Sequence, residues 1–200
     1  VKAIVVRQPW ATLIALGVKT IETRPSPPNG PMRPEGVRGL PGCSLERGER
    51  IAIVAGATPG TAPGEDLGDS GWYWESTAGD PSCVVNWKQP VKFHPAPLGA
   101  VVCTVTVDDA LPIVGNPEDS DECLYPDDHG GLWRFLDAED VGFPMSDQLP
   151  LGDFTPGRWG WLLGNPQPCD PIPCKGRQGV FTLPDDVAHQ LADTQIGGAS

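Results

Sequence analysis

Apolar residues fall in short, separated runs along this chain, and the runs differ in period. "KAIVV" (Lys2–Val6) is a continuous apolar stretch of the length expected for a buried strand. The next apolar residues, Trp10, Ala11, Leu13 and Ile14, recur at helical spacing. Pro9 suits the first turn of that helix, Gln8 its cap and Gly17 its C-terminal stop, which predicts a short helix from Pro9 to Leu16. "VKTIETR" then reads as extended, with Val18 and Ile21 as its apolar members. The Pro/Gly-rich stretch "PSPPNGPMRPEGVRGLPGCSLERG" admits no regular element. Strands are predicted at Arg50–Ala55, at Ala100–Val107 and in "GRWGWLL", with a last one at Val180–Leu183 after a turn.

Between these runs the pattern dissolves. Residues 58–97 read as loop, with Trp72, Tyr73, Trp74 and Trp87 giving that insertion a small core of its own. Residues 115–156 are acidic and irregular, with "GGLWRFLDAED" as a short helix. The tail "DDVAHQLADTQIGGAS" starts helical and ends frayed. No internal repeat is present. Short strands, one early helix and long excursions imply an α+β, mainly β class: a small β-barrel with a helix against one side, plus insertions.

Composition agrees with one domain carrying large loops. Gly 25 and Pro 24 make about a quarter of the 200 residues, and the hydrophobic share of 39% still allows a core. No run approaches the ~18 apolar residues of a membrane span, and no secretion signal is read at the start. The six cysteines (Cys43, Cys83, Cys103, Cys123, Cys169, Cys174) are therefore expected as reduced thiols in a cytoplasm, or in a host cytoplasm if phage-encoded. Cys103, inside an apolar run, is expected to act as a small hydrophobe. High Gly/Pro and few lysines suggest a GC-rich bacterial or phage genome.

The net charge of −12 is unevenly spread. Residues 1–60 hold eight Lys/Arg against four Asp/Glu, whereas residues 61–160 hold four against eighteen. So acidic a chain should not coat nucleic acid through general phosphate attraction, but a local basic site could still take a phosphate or nucleotide. Metal and cofactor chemistry find no support. His94, His129 and His189 show no ligand spacing, Cys169 and Cys174 are not at zinc-knuckle spacing, and Asp127, Asp128 and His129 in "YPDDHG" read as a solvated acidic loop. Neither a P-loop, a dinucleotide glycine motif nor G-x-S-x-G is present.

One stretch stands apart, "RQPWATLIALGVKTIETR" at 7–24, followed by "GERIAIVAGATP" at 48–59. An R/H-Q-P-W-A helix followed by G-x-K-x-x-E-x-R, here Gly17, Lys19, Glu22 and Arg24, resembles the ASCH domain family of the PUA-like β-barrel group. "LGAVVCTVTVDDALPI" resembles that family's central strand. "GRWGWLLGNPQPCDPIPCKGRQGVFTLP" resembles its closing segment, in which a Trp-Leu-Leu strand precedes a P-x-x-x-K/R-G-x-Q-G turn. The matches cover roughly half the chain, at both its ends. The resemblance implies one domain over 1–185 with insertions at about 25–47, 58–96 and 115–152, and a tail at 186–200. It also implies RNA or a nucleotide as ligand in a cleft beside the helix, with DNA open. Some members hydrolyse acetylated cytidine, and ribonuclease activity is reported for others.

Each candidate has a bland reading beside the functional one. Lys19 is either a turn lysine or a cation aimed into the cleft. Glu22 and Arg24, two apart, share one face of a regular strand with Thr20 and leave Lys19 on the other, so Lys19 and Glu22 converge only if the chain bends. They are either a surface pair or a carboxylate held by arginine to bind a base or activate water. The acetylcytidine enzymes place a threonine nucleophile where this chain has Glu22, which weakens that activity here. Arg7, Gln8 and Trp10 flank the helix start, and Trp159 and Trp161 share a strand face; each tryptophan either fills core or stacks on a base. Lys175, Arg177 and Gln178, with Gly176 and Gly179, form a second basic turn, either plain or contacting a ligand. Three classes follow: a nucleotide or nucleic-acid binding module, a hydrolase using Lys19 and Glu22, or a docking protein that uses its insertions.

Overall fold

The computed structural model describes residues 1–28, 45–58, 72–77, 80–86, 93–113, 148, 151–155 and 157–197. The chain is α+β and mainly β. Its strands are β1 (Lys2–Val6), β2 (Ile21–Arg24), β3 (Glu49–Ala55), β4 (Trp72–Thr77), β5 (Asp80–Asn86), β6 (Phe93–Pro95), β7 (Ala100–Pro112), β8 (Trp159–Pro173) and β9 (Val180–Thr182). Its helices are α1 (Trp10–Ala15) and α2 (Asp185–Gly197). Six strands hydrogen-bond in the order β2-β8-β7-β3-β1-β9, and β4-β5-β6 form a second sheet. The chain divides into two compact units: Val1–Lys19, Arg50–Thr106 and Gly164–Ser200 in the first, Thr20–Glu49 and Val107–Leu163 in the second.

In the first unit, β1 runs parallel to β3 with Ala3 opposite Ala52 and Val6 opposite Ala55. On its other edge it is antiparallel to β9, with Ala3 opposite Phe181. A strand paired on both edges and buried on both faces needs a continuous apolar run rather than alternation, which is why "KAIVV" is legible as a strand. Ala3, Ala52, Val54, Val101, Phe181 and Leu183 form the core, and α2 adds Val187 and Leu191, one turn apart on one helix face. Burying a side chain such as Leu191 contributes about 1.5–3 kcal/mol.

Helix α1 is shorter than predicted by one residue at each end. Pro9 is its N-cap rather than part of its first turn, and offers no capping side chain. Gly17 ends it as expected: with φ at +73°, its N–H donates to Ile14 O (2.9 Å) and that of Val18 to Leu13 O (2.9 Å). That paired closure needs a left-handed residue, which glycine supplies without steric cost. Ala11, Thr12, Leu13, Ile14 and Ala15 are all buried, so the helix is sunk on nearly every side.

Three sequence expectations are corrected. Residues 58–97 are not all loop, since they contain β4, β5 and β6. Ser76 pairs opposite Pro81 and Thr77 opposite Asp80, in a stretch where Gly79 and Pro81 read from sequence as loop. Trp87, and the side chains of Trp72, Tyr73 and Trp74, lie outside the described residues, as does "GGLWRFLDAED". Strand β7 runs on to Pro112, and β8 runs through "NPQPCDPIP" to Pro173. Prolines are tolerated there because a strand uses only alternate N–H groups on each edge, and most of residues 165–171 are exposed, so no apolar alternation marks them.

In the second unit, β2 is antiparallel to the start of β8, with Glu22 opposite Trp161 and Arg24 opposite Trp159. Ile21, Ile113 and Phe154 form its buried cluster, with Leu162 packed against it.

Cys103, Cys169 and Cys174 are free thiols. Cys103 is fully buried, and desolvation foremost holds its proton far above the ordinary 9.0. Burial pushes Cys169, whose Sγ donates to Val101 O, up to about 11, helped by Asp170. The folded chain therefore binds these protons more tightly than the unfolded one. From pH 9.0 upward the native state holds the excess, and stability falls as pH rises toward 11. Urea midpoints between pH 7 and 10.5 should decline above pH 9, and the decline should shrink in Cys103→Ala/Cys169→Ser. An undiminished slope in that variant would show that other groups cause it.

Candidate functional site

The motif residues of the first unit are structural before they are anything else. Gln8 is fully buried. Its Oε1 accepts the N–H of Thr12 (3.1 Å) and its Nε2 donates to Pro97 O (2.9 Å). The capping expected of Gln8 is thus delivered by its side chain, from one residue before the N-cap, and the same amide pins the helix start to a distant loop. Lys19 is 2% exposed, and its N–H donates to Leu13 O (3.1 Å). Its backbone closes the helix rather than opening a strand, and β2 begins only at Ile21. The face alternation expected between Lys19 and Thr20 therefore has no strand to rest on. Trp10 is half-buried, and its indole N–H is shielded from solvent without a hydrogen-bond partner among the described residues. Arg7 is exposed.

In the second unit, the strand register puts Glu22, Arg24, Trp159 and Trp161 on one face. Arg24 Nε lies 3.0 Å from Glu22 Oε1, and the guanidinium carbon stands 5.9 Å from the centre of the Trp161 ring. Trp161 is 3% exposed and donates its Nε1–H to Ser26 O (3.0 Å). Its N–H is spent and the Arg24 guanidinium lies over its ring, an arrangement worth roughly 0.5–2 kcal/mol. The pair is not the exposed one of the bland reading, because the Glu22 and Arg24 side chains are only 12% and 21% exposed. Thr23 ties the ladder to the segment before β8: its Oγ1 accepts the N–H of Asp153 (3.0 Å) and its carbonyl accepts from Arg158 (3.2 Å). The hydroxyl of Thr155 foremost, with its N–H and Arg158, holds the Asp153 carboxyl below the usual range. Gln148, which no sequence pattern singled out, is buried and accepts the N–H of Thr20 (2.8 Å).

Among the described residues, an open concavity lies elsewhere in the first unit. A cavity of about 770 Å³ is walled by Val5, Gly56, Ala57 and Gly99 on one side and by Pro173 to Gln178 on the other. Of the candidates read from sequence, it brings together Lys175, Arg177 and Gln178 and includes none of Lys19, Glu22, Arg24 or Trp161. Val5, Gly56 and Gly99 carry no polar side chain, so nothing in the sequence marked them as lining. Their signal is positional, as residues at the ends of predicted strands. Gly176 lies so close over Val5 that a Cβ there would collide with Val5 Cγ2. Lys175, Arg177 and Gln178 are exposed, and neither cation forms an ion pair with a described residue. Cys174 sits in the wall, its thiol raised by burial and then by Asp186, and lowered by the Arg177 charge. No group of His, Cys, Asp and Glu among the described residues could hold a metal ion.

No family model matches the chain, and no curated protein matches it. Among solved structures it is similar to an ASCH protein of Zymomonas mobilis, at 14% identity and a TM-score of 0.43, over 96% of this chain and 93% of that one. A tyrosine-to-phenylalanine variant of that protein gives 15% identity and a TM-score of 0.42, over 96% of each chain. A serine-to-alanine variant gives 15% and 0.39, over 96% and 94%. Similarity at this level transfers no residue's role, so the link to ASCH domains remains the resemblance of the motif residues.

Two substitutions check the geometry. Gln8→Leu keeps the volume but leaves the Thr12 N–H and the Pro97 carbonyl without partners, and should cost about 2–5 kcal/mol in urea unfolding. A cost below 1 kcal/mol would mean that those groups find water. Gly176→Ala should destabilise by about 1–3 kcal/mol through overpacking on Val5. Val5→Ala in the same chain should recover part of that loss, and strict additivity of the two would disprove the contact.

Proposed function

We propose that this protein is a nucleotide or nucleic-acid binding module whose ligand is seated in the cavity between Val5 and the Lys175–Gln178 turn. The supporting observation is the pair of exposed cations without ion-pair partners among the described residues, Lys175 and Arg177, on the rim of an apolar-walled cavity in a chain of net charge −12. Val5, Ala57 and Pro173 offer apolar surface for a base. Gln178 carries both a donor and an acceptor for a base edge, and the two cations suit phosphate oxygens. The volume falls in the ~300–1,000 Å³ range of small-molecule sites. The resemblance to ASCH domains adds RNA or a modified base as the preferred class, with DNA open. In this reading Gln8, Lys19, Glu22 and Arg24 shape the scaffold, since all four are buried or nearly so.

The hydrolase alternative needs Glu22 free to act on water, and its Oε1 is engaged by Arg24 at 3.0 Å. Calorimetric titration with nucleosides, nucleotides and short RNA decides between them. Binding is expected, weakened about tenfold or more in Arg177→Ala and in Gln178→Ala, which corresponds to about 1.4 kcal/mol or more. Unchanged affinity in both variants would remove the cavity as the site. Release of acetate from acetylcytidine that vanishes in Glu22→Ala would replace binding by hydrolysis.

A further inference from the structure

We infer that the ligand is a single nucleotide carrying a phosphomonoester, free or at the end of a strand, rather than an internal stretch of polymer. This rests on the binding reading above and narrows its chemistry. Three features of the cavity carry it.

The first is charge count. Lys175 and Arg177 flank Gly176 and together place two positive charges on one short turn, with no carboxylate among the described residues that line the cavity. A phosphomonoester carries about −1.5 to −2 charges near pH 7, close to what two cations neutralise. An internal phosphodiester carries one, and would leave a cation unmatched.

The second is the apolar, non-aromatic character of the described lining. Sites for single-stranded nucleic acid combine a basic groove with aromatic side chains under successive bases, over about 4–16 nucleotides per OB-fold domain. No Phe, Tyr, Trp or His is among the described residues that line this cavity. One base can lie on Val5 and Pro173, and no aromatic residue of the described lining continues that surface to a second.

The third is the surrounding field. A polymer bound through its backbone needs many phosphate contacts, which a chain of net charge −12 disfavours, whereas the turn can neutralise one phosphomonoester. Net repulsion outside the site and attraction at the rim select a short ligand with its charge concentrated at one point.

The test is a calorimetric series on the full chain at several salt concentrations, with Lys175→Ala and Arg177→Ala beside it. The probes are cytidine, adenosine, their 5′- and 3′-monophosphates, inorganic phosphate, and a short single-stranded RNA with and without a terminal phosphate. A monophosphate is expected to bind at least tenfold tighter than its nucleoside. The slope of log K against log salt should lie between about −1 and −2, and each alanine variant should make it shallower. Preference for the end-phosphorylated RNA over the free monophosphate would identify the strand end as the source, and the reverse the free nucleotide; both outcomes support the inference. Equal binding of nucleoside and monophosphate would overturn the phosphate claim and leave the nucleotide reading standing. Tight binding of unphosphorylated RNA with a slope steeper than about −4 would overturn it in favour of a polymer. Inorganic phosphate binding as well as any nucleotide, or no binding by any probe, would overturn both. Since Lys175 and Arg177 are exposed, unchanged melting of the ligand-free variants shows that lost affinity is not lost folding.

Discussion

A relay of backbone hydrogen bonds sets the position of everything around the cavity. The N–H of Gly56 donates to Val6 O (2.9 Å), that of Gly99 to Gly56 O (3.3 Å), and that of Cys174 to Gly99 O (2.8 Å). Four chain segments are thereby tied at the ends of their strands, just above the buried Ala3, Ala52, Val54 and Val101. Buried backbone groups must pair or pay a desolvation cost of roughly 1–3 kcal/mol each, so the relay cannot slip without opening the core edge. Because its last link is Cys174, the turn that follows starts from a fixed point. Gly176 can then pass over Val5 at a distance no side chain would permit. The placement of Lys175 and Arg177 is a consequence of packing, which is what preorganisation means for a charged site.

The strands that bury both faces were legible from sequence because burial imposes a continuous apolar run, as in Lys2–Val6 and Arg50–Ala55. The stop at Gly17 was legible because only one residue type takes its backbone conformation cheaply. What escaped had no such constraint. The exposed half of β8 carries neither an apolar alternation nor a need for every N–H, so "NPQPCDPIP" looked like loop while being strand. In the second sheet, β4, β5 and β6 pair through their backbones in a stretch whose Gly79, Pro81 and Pro95 dominate any local reading. Gln148 escaped because a buried side-chain acceptor for one distant N–H leaves no periodic trace.

The candidate residues divided along the same physical line. Gln8 and Trp161 are polar or aromatic and fall within conspicuous motifs, and both are occupied in holding the chain together. Glu22 and Arg24 neutralise one another beside a tryptophan ring. A buried polar group must be satisfied from within, so a motif made of such groups is a record of folding constraints as much as of chemistry. Lys175, Arg177 and Gln178 lie in an exposed turn where no folding constraint requires charge. Exposed charge that folding does not need, gathered at a concavity, is the kind that a ligand can use.

This distinction also bears on the acidity of the chain. Residues 61–160 hold eighteen Asp/Glu against four Lys/Arg. Long-range repulsion falls off over a Debye length of about 8 Å at physiological salt, so it discriminates by ligand length far more than by ligand identity. A short anion that reaches the rim exchanges bulk repulsion for two local attractions, whereas a long one keeps the remainder of its charge in the repulsive field. In the proposed reading the basic turn supplies the affinity, and the net charge of −12 favours a short ligand over a long one.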